Sequence, residues 1–139
     1  GNVKGYTAAD AKNYRYYTTL DGIMEKGDAG AYDYIVDPKL RQLWANKDYG
    51  QFADKTGELR TCFIATNHTT GGNSGSPVLD GEGRLIGVNF DRCWEGTMSD
   101  LMYDPTVCRN IALDIRYALF IIDRFAGAGH LLKEMRIEQ

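Results

Sequence analysis

The chain has 139 residues, enough for one domain with a real core and short for a multi-domain enzyme. Sixteen Lys and Arg against nineteen Asp and Glu leave a formal charge of -3, which argues against a nucleic-acid partner, because neutralising phosphates takes a basic surface. The longest apolar run, Ala118–Ile122, is core-sized and far short of the ~20 residues of a membrane span.

The first residues, Gly1–Thr7, show neither an initiator Met nor the charged-then-apolar pattern of a secretion signal, and read as part of a piece cut from a longer chain. Thr7 and Asp10 have capping-box spacing, which predicts a short helix from near Ala8. Tyr14–Lys26 is rich in Tyr and Thr and is expected to be the first long strand. Asp37 followed by Pro38 marks a helix start, and Leu40, Leu43 and Trp44 share one face of that helix. Glu58–Thr66 reads as a strand. Pro77–Leu79 and Leu85–Phe90 form a hairpin about the turn-rich Asp80–Gly83. Ile111, Leu113 and Ile115 alternate as a strand does. From Tyr117 the period lengthens, placing Leu119, Ile122 and Phe125 on a helical face that Gly127 ends, and Leu131, Leu132 and Met135 suggest a last short helix. The order predicts one domain, residues 1–139, mainly β with helices near its start and at its C-terminus: a barrel or sandwich rather than alternating βα units.

Between a strand and the hairpin lies Gly71-Gly72-Asn73-Ser74-Gly75-Ser76-Pro77. Glycines let successive N–H groups converge on one point, which a tetrahedral acyl-transfer intermediate needs beside its attacking hydroxyl. A plain Asx-type turn is the simpler alternative. A phosphate loop would need a Gly-Lys-Ser/Thr end and a following helix, and neither is present. Cys62, Cys93 and Cys108 match no zinc spacing. They leave a Cys93–Cys108 disulfide and buried free thiols both open. No metal or cofactor is implied.

The string G-N-S-G-S-P resembles the nucleophile loop of chymotrypsin-like serine peptidases. Together, Thr66–Gly96 and Asn110–Met135 resemble the C-terminal part of the bacterial dipeptidyl-peptidase 7 and dipeptidyl-peptidase 11 family, serine exopeptidases that remove dipeptides from free N-termini. The likeness runs from about Tyr6 to Met135 and corresponds to the last fifth or so of a family protein. It implies the C-terminal half of a double-barrel peptidase, with Ser74 as nucleophile and the N–H groups of Gly72 and Ser74 as oxyanion donors. The catalytic His and Asp would lie in a first barrel outside this chain. Of the two histidines present, His130 falls in the helical C-terminal region. His68 matches a position at the base of the specificity pocket, where it offers either a donor to that pocket or a hydrogen bond within its own loop.

Read as residues alone, Asp91-Arg92 is an ordinary surface ion pair. In the family, Arg at the Arg92 position marks the Asp/Glu-specific members and Gly the broad-specificity ones, so the resemblance is to the acidic-specific members. A guanidinium there gives a bidentate partner for a substrate carboxylate, and Asp91 matches the carboxylate that helps hold the substrate's free ammonium. The resemblance implies a periplasmic or secreted enzyme. Its partners would be peptides with a free N-terminus, the rest of the parent chain and, through exposed apolar surface, a second copy of itself. A non-catalytic peptide-binding module or pseudo-peptidase is the alternative.

Overall fold

The computed structural model describes residues 1–138, which divide into two compact units. The first comprises Gly1–Thr18 and Thr61–Ile115; the second comprises Thr19–Arg60 and the chain from Arg116.

The first unit opens with a hairpin of β1 (Tyr6–Ala9) and β2 (Lys12–Tyr14). This is where a helix was expected. The hydroxyl of Thr7, instead of capping a helix, donates to Asn13 Oδ1 across the hairpin at 2.5 Å, and the Tyr6 and Tyr14 rings pack at 5.2 Å. Cross-strand pairing therefore overrides the local capping signal. The hairpin turns through Ala11 at φ 60°. The expected long strand is also shorter than its Tyr and Thr content suggests: β3 spans only Tyr17–Thr19, and α1 (Leu20–Asp28) follows at once in the second unit. Leu20 and Met24, four residues apart and each 1% exposed, give that segment a buried helical stripe.

The main sheet runs β3-β4-β7-β6-β5, with β4 Arg60–Ala65, β5 Pro77–Leu79, β6 Leu85–Arg92 and β7 Asn110–Asp114. The β4–β7, β7–β6 and β6–β5 pairs are antiparallel. The hairpin and both neighbouring strands lie where the sequence pattern put them. In β6, Gly87 is required by packing, since a Cβ there would meet Leu113 O at 2.6 Å and the Phe63 ring at 2.7 Å. In β7 the alternation is real, but two of the three residues on its deeper face are polar: Asn110 and Asp114 are buried with Ala112, while Ile111 and Leu113 are half-buried. Arg109 is also buried. Its guanidinium donates to the carbonyls of Lys4, Gly5, Pro105, Thr106 and Cys108, stitching the N-terminal segment to the 105–108 turn.

In the second unit α2 (Pro38–Ala45) starts as read, with Asp37 Oδ1 accepting the Lys39 N–H at 2.8 Å. Leu40, Leu43 and Trp44 are its half-buried face, and Trp44 Nε1 donates to Asp21 Oδ1 of α1. The C-terminal helix α3 (Ile115–Phe120) opens into a π turn, Ile121–Phe125, before Gly127 takes φ 68° and ends it. Its Phe120 is fully buried, edge-on to Tyr49. Gly129–Glu134 forms a 3-10 segment where the last short helix was expected.

One turn of this unit rests on a carboxylate. Asp54 accepts from Thr56 Oγ1, the Thr56 and Glu58 main-chain N–H groups and Arg60 Nε, at 2.6 to 3.1 Å. The Thr56 hydroxyl contributes most, and together these donors hold the carboxyl well below the usual carboxylate range even though it is buried. A depressed folded-state pKa contributes stability that is complete above the unfolded value near 4 and is lost as pH falls through the folded value. Asp54→Asn is therefore expected to cost about 1–3 kcal/mol in urea unfolding at neutral pH, with the gap to wild type narrowing as the pH drops below about 4. A gap independent of pH would contradict this account.

Candidate active site

The serine loop is shaped by its own hydrogen bonds. Asn73 N–H donates to Thr70 O at 3.2 Å, and Asn73 Oδ1 accepts the Thr70 N–H at 2.9 Å, closing a reciprocal turn. Gly72 at φ 101° and Gly75 at φ 83° flank Ser74 in backbone conformations that a side chain would strain. The loop is fastened to β6 by Gly75 N–H to Asn89 O at 2.8 Å and by Asn89 N–H to Ser76 O at 2.9 Å. Ser74 is exposed, and its Oγ donates to Phe90 O across 3.4 Å. The main-chain N–H groups of Gly72 and Ser74 have no acceptor among the described residues.

Beside the loop, β6 carries a bulge. Asn89 pairs with Ala112 and Asp91 with Ile111, so Phe90 is the extra residue. In a regular strand Asn89 and Asp91 would share a face. Here Asn89 is buried while both Phe90 and Asp91 are exposed. Asp91 Oδ1 accepts the main-chain N–H of Arg92 at 2.8 Å rather than pairing with its guanidinium.

The Arg92 guanidinium, with the side chain 19% exposed, uses one nitrogen for both of its contacts. Nη1 donates to Ser99 Oγ at 2.8 Å and pairs with Asp100 Oδ1 at 3.0 Å. Hydrogen bonds from Arg92, and then from Thr70, hold the Asp100 carboxyl below its ordinary range. The segment bearing Ser99 and Asp100 is itself held by His68, whose Nε2 lies 3.0 Å from Ser99 O. A carbonyl can only accept, so Nε2 carries the proton and is not free to act as a base. The His68 ring packs 4.9 Å from that of Tyr103, whose hydroxyl donates to Thr66 O.

Ser74, Asp91 and Arg92 thus line one cavity of about 110 Å³, with Thr70, Gly71 and Phe90. Gly72 sits in the same loop. His68 supports this cavity from behind Ser99 instead of lining it. A larger cavity of about 310 Å³ in the second unit, among Ile23, Lys26, Tyr34, Ile35 and Leu40, is lined by no Ser, Thr or Cys. Among the described residues no three His, Cys, Asp or Glu side chains group as metal ligands would. All three cysteines are free thiols, and burial pushes the Cys62 and Cys93 thiols up. Sequence reasoning missed Asn89, Ser99, Asp100 and Asn110. The two asparagines had a signal, each being an amide set beside apolar residues in a strand.

The chain has close relatives. A model of the Peptidase S46 family matches residues 1–137. The Asp/Glu-specific dipeptidyl-peptidase of Capnocytophaga gingivalis is 58% identical over 99% of this chain and 19% of its own length. Dipeptidyl-peptidase 7 of Phocaeicola vulgatus is 50% identical over the same shares. The crystal structure of Porphyromonas endodontalis DPP11 in complex with the dipeptide Arg-Asp matches at a TM-score of 0.94 and 50% identity, over 98% of this chain and 20% of that one. The chain therefore spans about a fifth of the length of the curated relatives it matches.

Proposed function

The chain belongs to the Peptidase S46 family, and from that premise we propose that it carries the nucleophile and specificity pocket of a serine dipeptidyl peptidase. That enzyme releases N-terminal dipeptides with Asp or Glu before the scissile bond. One observation carries the reading: an exposed serine hydroxyl and a guanidinium line one cavity, and the serine's loop holds two unengaged N–H groups, of Gly72 and Ser74. Both units then form one segment, residues 1–139, from the C-terminal half of a chymotrypsin-like double barrel.

In this mechanism Ser74 Oγ attacks the carbonyl carbon of the second substrate residue. The N–H groups of Gly72 and Ser74 stabilise the oxyanion, aimed at where charge develops rather than at the ground-state carbonyl. Arg92 receives the acidic side chain. Ser99 and Asp100 occupy only Nη1, so the Nε–Nη2 edge is left for a two-point contact with a carboxylate. The crystal structures of Porphyromonas endodontalis DPP11 with the dipeptides Arg-Asp and Arg-Glu support this reading. Asp91 supplies fixed negative charge for the free α-ammonium. The general base and its aspartate come from outside these residues, since His68 is absent from the Ser74 cavity and Ser74 Oγ meets only Phe90 O, and a serine hydroxyl is a poor nucleophile unaided.

The compartment is periplasmic or extracellular, where thiols held protonated by burial resist oxidation better than exposed ones. Exposed Tyr32, Ile35, Leu101 and Met102 give surface for the rest of the peptidase or for a second copy. The competing reading, a peptide-binding module without chemistry, is favoured by one feature: Ser74 Oγ meets a main-chain carbonyl and no base.

Turnover of a dipeptidyl amide by the isolated 139-residue chain is expected to fall several orders of magnitude below that of the full-length peptidase. Comparable rates would require a base within the chain. In the full-length peptidase, Arg92→Gly is expected to lower kcat/KM for an Asp-containing substrate by about 30- to 1000-fold and to spare a matched Leu substrate. An unchanged Asp-to-Leu ratio would remove Arg92 from the pocket.

A further inference from the structure

Behind the serine loop three asparagines form a relay, two of them buried. Asn67 Nδ2 donates to Asn110 Oδ1 at 3.3 Å, Asn110 Nδ2 donates to Asn89 Oδ1 at 2.9 Å, and Asn89 Nδ2 donates to Asn73 O at 3.1 Å. Asn110 is 1% exposed and Asn89 5%, both in the middle of the sheet, as neighbours β7 and β6. The last acceptor sets the direction of the whole relay. A main-chain carbonyl cannot donate, so Asn89 must present Nδ2 to it; Oδ1 of Asn89 then faces Asn110, which must present its own Nδ2. No buried side-chain polar atom among the described residues lacks a partner, so the relay is satisfied and single-valued rather than a frustrated amide cluster.

Its endpoint is the peptide bond between Asn73 and Ser74. The Asn73 carbonyl is gripped twice, by Asn89 Nδ2 and by the Ser76 N–H at 3.0 Å. That peptide is planar and trans, so its N–H points away from its carbonyl. Holding the carbonyl toward buried Asn89 therefore turns the Ser74 N–H outward, where it has no acceptor among the described residues. Gly72 and Gly75 on either side, both at positive φ, make this loop one in which a peptide plane can rotate at little steric cost. Rotation would aim a carbonyl dipole at the point where the oxyanion forms.

We propose that Asn89, oriented by Asn110, is a positioning residue that locks the Asn73–Ser74 peptide in the orientation that donates to the oxyanion. This rests on the reading of Ser74 as the nucleophile. Asn89 borders the Ser74 cavity, but its side-chain Oδ1 and Nδ2 are taken by Asn110 and by Asn73 O, so its effect falls on the transition state and not on ground-state binding.

The test uses the full-length peptidase with Asn89→Ser, Asn89→Asp and Asn110→Ser. It measures kcat and KM on an Asp-containing dipeptidyl substrate, inhibition by a dipeptidyl aldehyde that forms an oxyanion on the serine, and binding of the product dipeptide. For Asn89→Ser, kcat should drop about 10- to 100-fold and aldehyde affinity should weaken in step, while KM and product affinity stay within about twofold. Asn110→Ser should show a smaller loss with the same split, and the Ser/Ser double variant should be little worse than Asn89→Ser, as members of one relay are not additive. If Asn89→Asp does not fold, the two serine variants decide. An unchanged kcat, or KM and product binding falling together with kcat, overturns the proposal. Ser74→Ala separates it from the functional reading. Residual full activity in that variant defeats the nucleophile assignment, whereas loss there with intact Asn89 and Asn110 variants defeats the relay alone.

Discussion

The geometry of the site depends on how Asn89 holds the serine loop. Its carbonyl accepts the Gly75 N–H, its N–H donates to Ser76 O, and its side chain reaches Asn73 O. Three hydrogen bonds from one residue of a central strand fasten a glycine-rich loop at the residues immediately around Ser74. A loop with this backbone freedom would otherwise sample many conformations and lose more entropy on ordering than most segments. Anchoring it to sheet backbone, rather than to another loop, gives Ser74 the rigidity of the strand beneath it.

The same strand sets the other end of the site. The bulge at Phe90 breaks the two-residue alternation just past Asn89, so one short run, Asn89 to Arg92, faces inward to clamp the loop and outward to line the cavity. Arg92 is then held from its far side by Ser99 and Asp100, and their segment is propped by His68 and Tyr103. A half-buried cation needs such partners, since an isolated charge out of water is costly. With both contacts on Nη1, the cation is neutralised without closing its Nε–Nη2 edge.

Much of this was legible in the sequence. The loop, the hairpin after it, the strand before it and the capped helix at Pro38 all follow from local chemistry: glycine punctuation, alternation, and an Asp-Pro start. The stretch from Tyr6 to Asp28 was misread because its signals were local and the outcome was not. Thr7 carries a capping pattern, yet its hydroxyl is satisfied across a hairpin by Asn13. The Tyr-rich run ends at Thr19 because Leu20 and Met24 have a buried helical face to fill. Ser99, Asp100 and the pairing of the asparagines were not legible for a different reason. Their partners are long-range, and periodicity reports which face a residue takes without reporting what it meets there. His68 was left between two roles, and the bond to Ser99 O is a within-protein support that only three-dimensional placement reveals.

The central claim is that Ser74 is the nucleophile of an acidic-specific peptidase site, and covalent labelling tests it most directly. The full-length protein would be treated with a dipeptidyl diphenyl phosphonate carrying an acidic second residue, which is reactive only toward an activated serine, and the adduct mapped by mass spectrometry. The account predicts a single adduct on Ser74, slowed by excess Asp-containing dipeptide. An adduct on another residue, or none from a preparation that still cleaves acidic dipeptidyl substrates, would contradict it.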